Sequence, residues 1–270
     1  AMMDHPNIAR VLDAGATDAG RPHFVMELAR GMPIVQFCDE QRMDTEMRVA
    51  LFLQVCGAIQ HAHQKGIIHR DIKPSNVLVM WHGDEPSAKV IDFGIAKATG
   101  AELTQRTHFT EHRQVIGTPA YMSPEQTARG GIDVDTRSDV YSLGVLLYEL
   151  LTGTTPFLVD DLMSKGFEEM MRTIREQDPP KPSARLLTLA ESGTRTASLR
   201  RTDTRRLRSA LRGDLDWIVM KCLEKERGRR YETANALAAD LRRHLAREPV
   251  VAAPPSRTYR LRRGIQRHKV

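Results

Sequence analysis

The sequence predicts an α+β fold, a small β-containing N-terminal part followed by a mostly helical body. Three observations carry this reading. Thr45 to Lys65 places apolar side chains at Met47, Leu51, Val55, Ala58, Ile59 and Ala62, a helical period. Val140 to Leu151 is apolar nearly all round, as a helix at the centre of a domain is. Short β-branched runs at Val77 to Val79 and Lys89 to Ile91 have strand length instead.

Taken in order, Asn7 to Leu12 and His23 to Leu28 read as two strands of a hairpin-like pair, separated by Gly15, Gly20 and Pro22. Gly66 stops the first long helix as a C′ glycine does. Val77 to Met80 and Lys89 to Ile91 are strands joined by a polar turn at His82 to Ser87. Thr136-Arg137-Ser138-Asp139 has the pattern of a capping box opening the helix through Leu151, and Gly153 ends it. Phe167 to Gln177 is another helix, stopped by Pro179-Pro180. The composition then shifts. Pro182 to Arg212 is rich in Arg, Ser and Thr and reads as a surface insertion, partly helical near Arg205 to Leu211. Asp214 to Glu224 and Thr233 to Arg247 close the helical body, and beyond Pro249 the tail has no apolar periodicity.

Composition narrows the function classes. The 270 residues carry a net charge of +6, with arginine crowded into Arg195 to Arg212 and Arg257 to Arg267. No aromatic platform accompanies those arginines, so specific nucleic-acid binding is not expected. Cys38, Cys56 and Cys222 are odd in number and far apart, which points to reduced, buried thiols in a cytoplasmic protein and not to a disulfide frame or zinc site. His61 and His63 lie two positions apart on a helix, point to different faces and so form no ligand pair. Ala1-Met2-Met3-Asp4-His5 lacks the apolar core of a signal peptide, and the longest apolar run falls short of the ~20 residues of a membrane span.

The densest chemistry lies in His69-Arg70-Asp71-Ile72-Lys73-Pro74-Ser75-Asn76, a polar cluster between two apolar elements. Asp71 can accept a proton from a hydroxyl, Lys73 can neutralise phosphate, and Asn76 can offer a carbonyl oxygen to Mg²⁺, a hard cation. A polar turn that merely caps a helix is the plain alternative. The downstream Asp92-Phe93-Gly94 weighs against it, because it sets a carboxylate at the end of a buried strand just across a hairpin.

Together these stretches resemble the catalytic and metal-binding loops of protein kinases, and the chain is similar to bacterial eukaryotic-like serine/threonine kinases. The resemblance implies a protein-kinase-like fold with a helical C-lobe and a remnant of the N-lobe sheet. It implies ATP and Mg²⁺ as cofactors and a protein Ser or Thr as acceptor. Asp71 would be the base, Lys73 and Thr118 its neighbours, and Asn76 and Asp92 the Mg²⁺ ligands. Met26 would be the gatekeeper, with the backbone of Glu27 and Ala29 on adenine and Leu78 beneath the ring. Arg70 would dock a phosphothreonine of the segment Ala98 to Gln114, where Thr104, Thr107 and Thr110 are candidates; a merely flexible loop is the alternative. Glu125 would pair with Arg230, and Asp139 would bind backbone amides of the catalytic loop.

The same resemblance divides the chain into an N-lobe remnant at 1–28, a C-lobe at 29–248 with the insertion at 182–212, and a basic tail at 249–270. In the family a Gly-rich loop, a strand lysine and a helix glutamate come first, whereas here no G-x-G-x-x-G occurs and no lysine precedes Lys65. The expectation is therefore a kinase domain entered part-way, poorly active alone, with a scaffolding pseudokinase as the other reading. The basic cluster Tyr259 to Lys269 fits a segment preceding a membrane tether beyond Val270, or else a soluble tail. The oligomeric state is left open.

Overall fold

The computed structural model describes residues 4–17, 22–93, 119–127, 134–256 and 259. Two small sheets pack beside a helical body. Strands β1 (Val11–Ala16) and β2 (Pro22–Met26) form an antiparallel pair. Strands β3 (Met32–Pro33), β4 (Val77–His82) and β5 (Glu85–Val90) form a second sheet in that order.

The first strand starts later than expected. Ile8 is fully buried and bridges Val90 in parallel, with Ala9 N–H on the Val90 carbonyl at 2.9 Å and Val90 N–H on the Asn7 carbonyl at 2.8 Å. The apolar residue is drawn to the core of the helical body, and the exposed stretch Leu12 to Ala16 pairs with β2 instead. The β4–β5 turn is also tighter than the polar run His82 to Ser87 implied. Only Gly83 and Asp84 leave the ladder, and Gly83 takes φ +62°, a left-handed value glycine adopts without strain.

Helix α1 (Ile34–Glu40) leads into α2 (Thr45–Gln64), capped by the Asp44 carboxylate on Met47 N–H and ended at Gly66 with φ +74°. The helical period of α2 was legible, but one member of its inner face was not. Met47 is 40% exposed, while Arg48 beside it is fully buried. Helix α3 (Thr136–Thr152) runs through the centre, buried along almost its whole length and packed against α2 and α9 (Asp214–Cys222). Gly144 makes the α9 contact possible, since a Cβ there would come within 2.4 Å of Cys222 Cβ. The cap of α3 is Asp135, whose side chain accepts from Arg137 N–H at 2.8 Å, and not Thr136. The Asp139 carboxylate turns to other partners.

Around α3 lie α4 (Val159–Met163), α5 (Phe167–Glu176) and α10 (Ala234–Leu245). The segment 182–212 departs from the expected surface insertion. It forms three helices, α6 (Pro182–Thr188), α7 (Ala190–Leu199) and α8 (Thr204–Leu211), which bury Leu186, Ala197, Leu207 and Leu211 in the main core. Arg200 follows α7 into the interior and donates to the carbonyls of Leu150 at 2.7 Å and Thr196 at 2.9 Å. The start of the tail is docked too. Val250 is buried, the N–H groups of Val251 and Ala252 donate to the buried Asp240 carboxylate, and the Tyr259 hydroxyl donates to Asp214 at 2.9 Å. These contacts are polar or single residues, so no apolar periodicity announced them.

The three cysteines are free and buried, and burial pushes the Cys38 thiol up to about 11, which keeps it protonated. Among the described residues, no helix is long and apolar enough to cross a membrane.

The insertion helices can be tested as core elements. Arg200→Leu should lower unfolding stability by about 1–3 kcal/mol, because it takes the donor away from the buried carbonyls of Leu150 and Thr196. Arg206→Ala, at a side chain 83% exposed, should change it by less than about 0.5 kcal/mol. Urea titration of the two variants reads the contrast; equal, small losses would put the segment back on the surface.

Candidate active site

The site is built outward from α3. Asp139 is fully buried in its first turn, where the helix dipole favours an anion. Its carboxylate accepts the N–H groups of His69 and Arg70, both at 2.8 Å, and lies 2.7 Å from His63 Nε2. Those bonds hold the loop in a turn where Arg70 takes φ +64°. The Arg70 carbonyl accepts from Gln126 Nε2 at 2.9 Å, so the loop is tied on its other side to residues 119–127.

His69 is the buried pivot. Its Nδ1 faces Asp71 N–H at 3.3 Å, which leaves Nε2 to donate to the Ile91 carbonyl at 3.0 Å. Burial lowers its pKa, consistent with a neutral ring carrying its proton on Nε2. The ring packs at a tilt of 44° against Phe93, centroids 4.6 Å apart, which places the loop beside Asp92-Phe93.

Asp71 then projects from the loop with its side chain partly open to solvent. Its carboxylate lies 2.8 Å from Lys73 Nζ and accepts from Asn76 Nδ2 at 3.1 Å, and its carbonyl accepts from the same Nδ2 at 2.8 Å. With its nitrogen so engaged, Asn76 turns Oδ1 the other way, near Ser75 Oγ. Ile91 N–H donates to the Asn76 carbonyl at 2.9 Å, so Asp92 follows the residue bonded to Asn76. Asp92 is exposed with φ +54°, an uncommon value for a residue with a side chain. Two hard oxygen donors, Asn76 Oδ1 and the Asp92 carboxylate, thus stand at adjoining strand ends, a donor set that suits Mg²⁺.

The connecting stretch from β2 is anchored as well. Glu27 N–H donates to the Arg10 carbonyl at 2.8 Å, which removes that donor from any ligand and leaves the carbonyl as the group to offer. The Glu27 carboxylate takes Lys89 Nζ at 2.7 Å, and this hydrogen bond is the main cause of its lowered pKa. Gly31 passes close to β4, where a Cβ would lie 2.7 Å from the Val79 carbonyl oxygen. Met26, Ala29 and Leu78 are each half-buried, Leu78 alternating with the buried Val77 and Val79. Thr118, Thr104, Thr107 and Thr110 lie outside the described residues.

Residues 119–127 are fixed onto α3. The expected Glu125–Arg230 pair is bidentate, at 2.7 and 2.8 Å. Burial pushes the Glu125 carboxyl up, but hydrogen bonds from Arg230 and Ser138 outweigh it and hold the pKa below the usual range. Tyr121 donates its hydroxyl to Glu149, whose pKa burial raises. Sequence reasoning missed Gln126, His63 and Glu149. Only His63 had a signal, an ionisable ring on an otherwise apolar helix face.

Comparison with known proteins gives the family and the fold. The family model described as "Protein kinase domain" matches residues 1–241. Serine/threonine-protein kinase PknB of Mycobacterium tuberculosis is 38% identical over 256 residues, covering 92% of this chain and 35% of that protein. Serine/threonine-protein kinase Pkn1 of Myxococcus xanthus is 40% identical over 184 residues, covering 68% of this chain and 25% of that protein. The chain thus spans about a third of the length of the PknB relatives it matches. Among solved structures, a double mutant of the PknI kinase domain of Mycobacterium tuberculosis superposes with a TM-score of 0.59 at 23% identity. That match covers 89% of this chain and 73% of the other, and it shows the fold. The fold is the α+β fold of protein kinases. The chain belongs to the protein kinase domain family, and its sequence relatives there are bacterial serine/threonine kinases.

The Glu125–Arg230 pair gives a direct test. Arg230→Met should cost about 3–5 kcal/mol, because it strands a buried carboxylate. The double variant Glu125→Leu with Arg230→Met should recover a clear part of that loss in thermal or urea unfolding. A double variant less stable than Arg230→Met would contradict the pair.

Proposed function

We propose that this domain transfers the γ-phosphoryl group of ATP to serine or threonine hydroxyls of protein substrates. The observation that carries the reading is the Asp71 carboxylate, held by Lys73 and Asn76 on a loop that buried Asp139 fixes. Asp71 takes the proton from the attacking hydroxyl, whose oxygen forms the new bond to phosphorus as the bond to the ADP oxygen breaks. Lys73 holds Asp71 in place and offsets charge on the phosphoryl oxygens in flight. Asn76 Oδ1 and Asp92 would hold Mg²⁺, which neutralises and orients the phosphates when bound. Thr118 belongs beside Asp71 and Lys73 in this reading. Met26, the Glu27 carbonyl, the Ala29 backbone and Leu78 would enclose adenine. Arg70, whose backbone is fixed on both sides, would receive a phosphate on Thr104, Thr107 or Thr110, ordering that segment.

In the full-length protein, Asp71→Asn should lower phosphorylation of a generic Ser/Thr substrate by about 10²–10⁴-fold with little change in ATP affinity. Asp92→Asn should instead abolish Mg²⁺-dependent nucleotide binding, as read by calorimetry with and without the metal. Near-parent turnover in either variant would remove the assigned roles. A parent protein that binds no nucleotide and transfers no phosphate would be a scaffold.

A further inference from the structure

We propose that the cleft between α3, α9 and α10 binds a phosphate monoester carrying an apolar substituent. It lies outside the catalytic loop and does not rest on the activity proposed above. The cleft has a volume of about 550 Å³, within the ~300–1,000 Å³ of ordinary small-molecule sites. Four cationic side chains line it, Arg137, Lys221, Arg230 and Arg243, against one carboxylate, the exposed Glu232.

The four cations are not equivalent. Arg230 commits all five N–H groups, to Glu125 and to the carbonyls of Glu224, Lys225 and Arg137. Arg137 is held by Asp135. Arg243 donates one Nη1 hydrogen bond to Asp240, which leaves further guanidinium donors for a ligand. Lys221 has no carboxylate within salt-bridge distance among the described residues. Its half-buried ammonium rests 4.7 Å from the centroid of the Tyr231 ring.

An uncompensated ammonium on an aromatic face, beside a second cation with spare donors, is a seat for an anion. Two cations favour a phosphate dianion over a carboxylate. Ala236 and Val251, the latter 62% exposed, add apolar wall for the substituent. Gly228 leaves room, since a Cβ there would meet no atom within 4 Å.

Phenyl phosphate is the probe, titrated into the purified chain by calorimetry. Saturable one-to-one binding is expected at low millimolar concentration or below, with benzoate and inorganic phosphate each about tenfold weaker. Lys221→Gln should weaken phenyl phosphate at least about tenfold, and Gly228→Leu, which fills the cleft, should abolish binding. Glu232→Gln should strengthen it, and because that side chain is exposed the variant also keeps the test open if another fails to fold. A phosphotyrosine peptide binding more tightly than phenyl phosphate assigns a protein-borne ligand, and equal or weaker binding assigns a free aryl phosphate. The proposal is overturned by no saturable binding, by inorganic phosphate matching phenyl phosphate, or by parent-like affinity in both Lys221→Gln and Gly228→Leu.

Discussion

The structure hangs on one buried carboxylate. An unpaired carboxylate in a protein interior costs several kcal/mol, so Asp139 persists only where donors converge on it. It finds three: the N–H groups of His69 and Arg70, and the ring of His63. Each lies seventy or so residues away along the chain. Satisfying Asp139 therefore requires that the end of α2, the loop after it and the first turn of α3 meet at one point. Packing fixes where that point is, because α3 is buried along almost its whole length and closes on α9 at Gly144.

From there the geometry passes by short steps to Asp71, Asn76 and Asp92. With His69 N–H and Arg70 N–H engaged, the backbone turns through a left-handed residue and delivers Asp71 to partial exposure. His69 links the loop to Ile91, and Asn76 receives Ile91 N–H, so both ends of the loop hold the residue that precedes Asp92 just past β5. Positive φ at Arg70 and Asp92 is local strain of the kind functional loops carry when their surroundings over-determine them. The Asp71–Lys73 contact itself is half-exposed and adds little stability. Its value lies in orientation.

The parts of this arrangement that were legible in the sequence are those with a local signal. Helix α2 showed its period and its stop at Gly66, and α3 showed its apolar run. Asp71, Asn76 and Asp92 stood out because polar side chains crowd between apolar elements. Arg230 was reachable only through the family resemblance. What escaped was decided by partners distant in sequence. Ile8 left the hairpin for Val90, and Glu27 spent its N–H and carboxylate on Arg10 and Lys89. The segment 182–212 escaped for the same reason. Its arginines suggested a solvated face, and most are exposed, but Arg200 is not.

That arginine completes the constraint on α3. Arg200 and Arg48 are both buried and both donate to the Leu150 carbonyl near the C-terminal end of the helix. Burial pulls the Arg200 pKa down to about 9, and the neighbouring Arg48 charge adds to the fall. One half-exposed carboxylate, Asp39, lies 2.7 Å from Arg48 and 3.8 Å from Arg200. It cannot offset two desolvated cations alone. Backbone carbonyls of Cys38, Met43, Thr196 and Leu199 supply the rest. The central helix is thus held by ionic groups at both ends, a buried anion that gathers the His69 to Asn76 loop and a buried cation pair that gathers α1, α2 and α7. A helix fixed at both ends cannot slide or rotate without breaking one set, and the position of Asp71 inherits that rigidity.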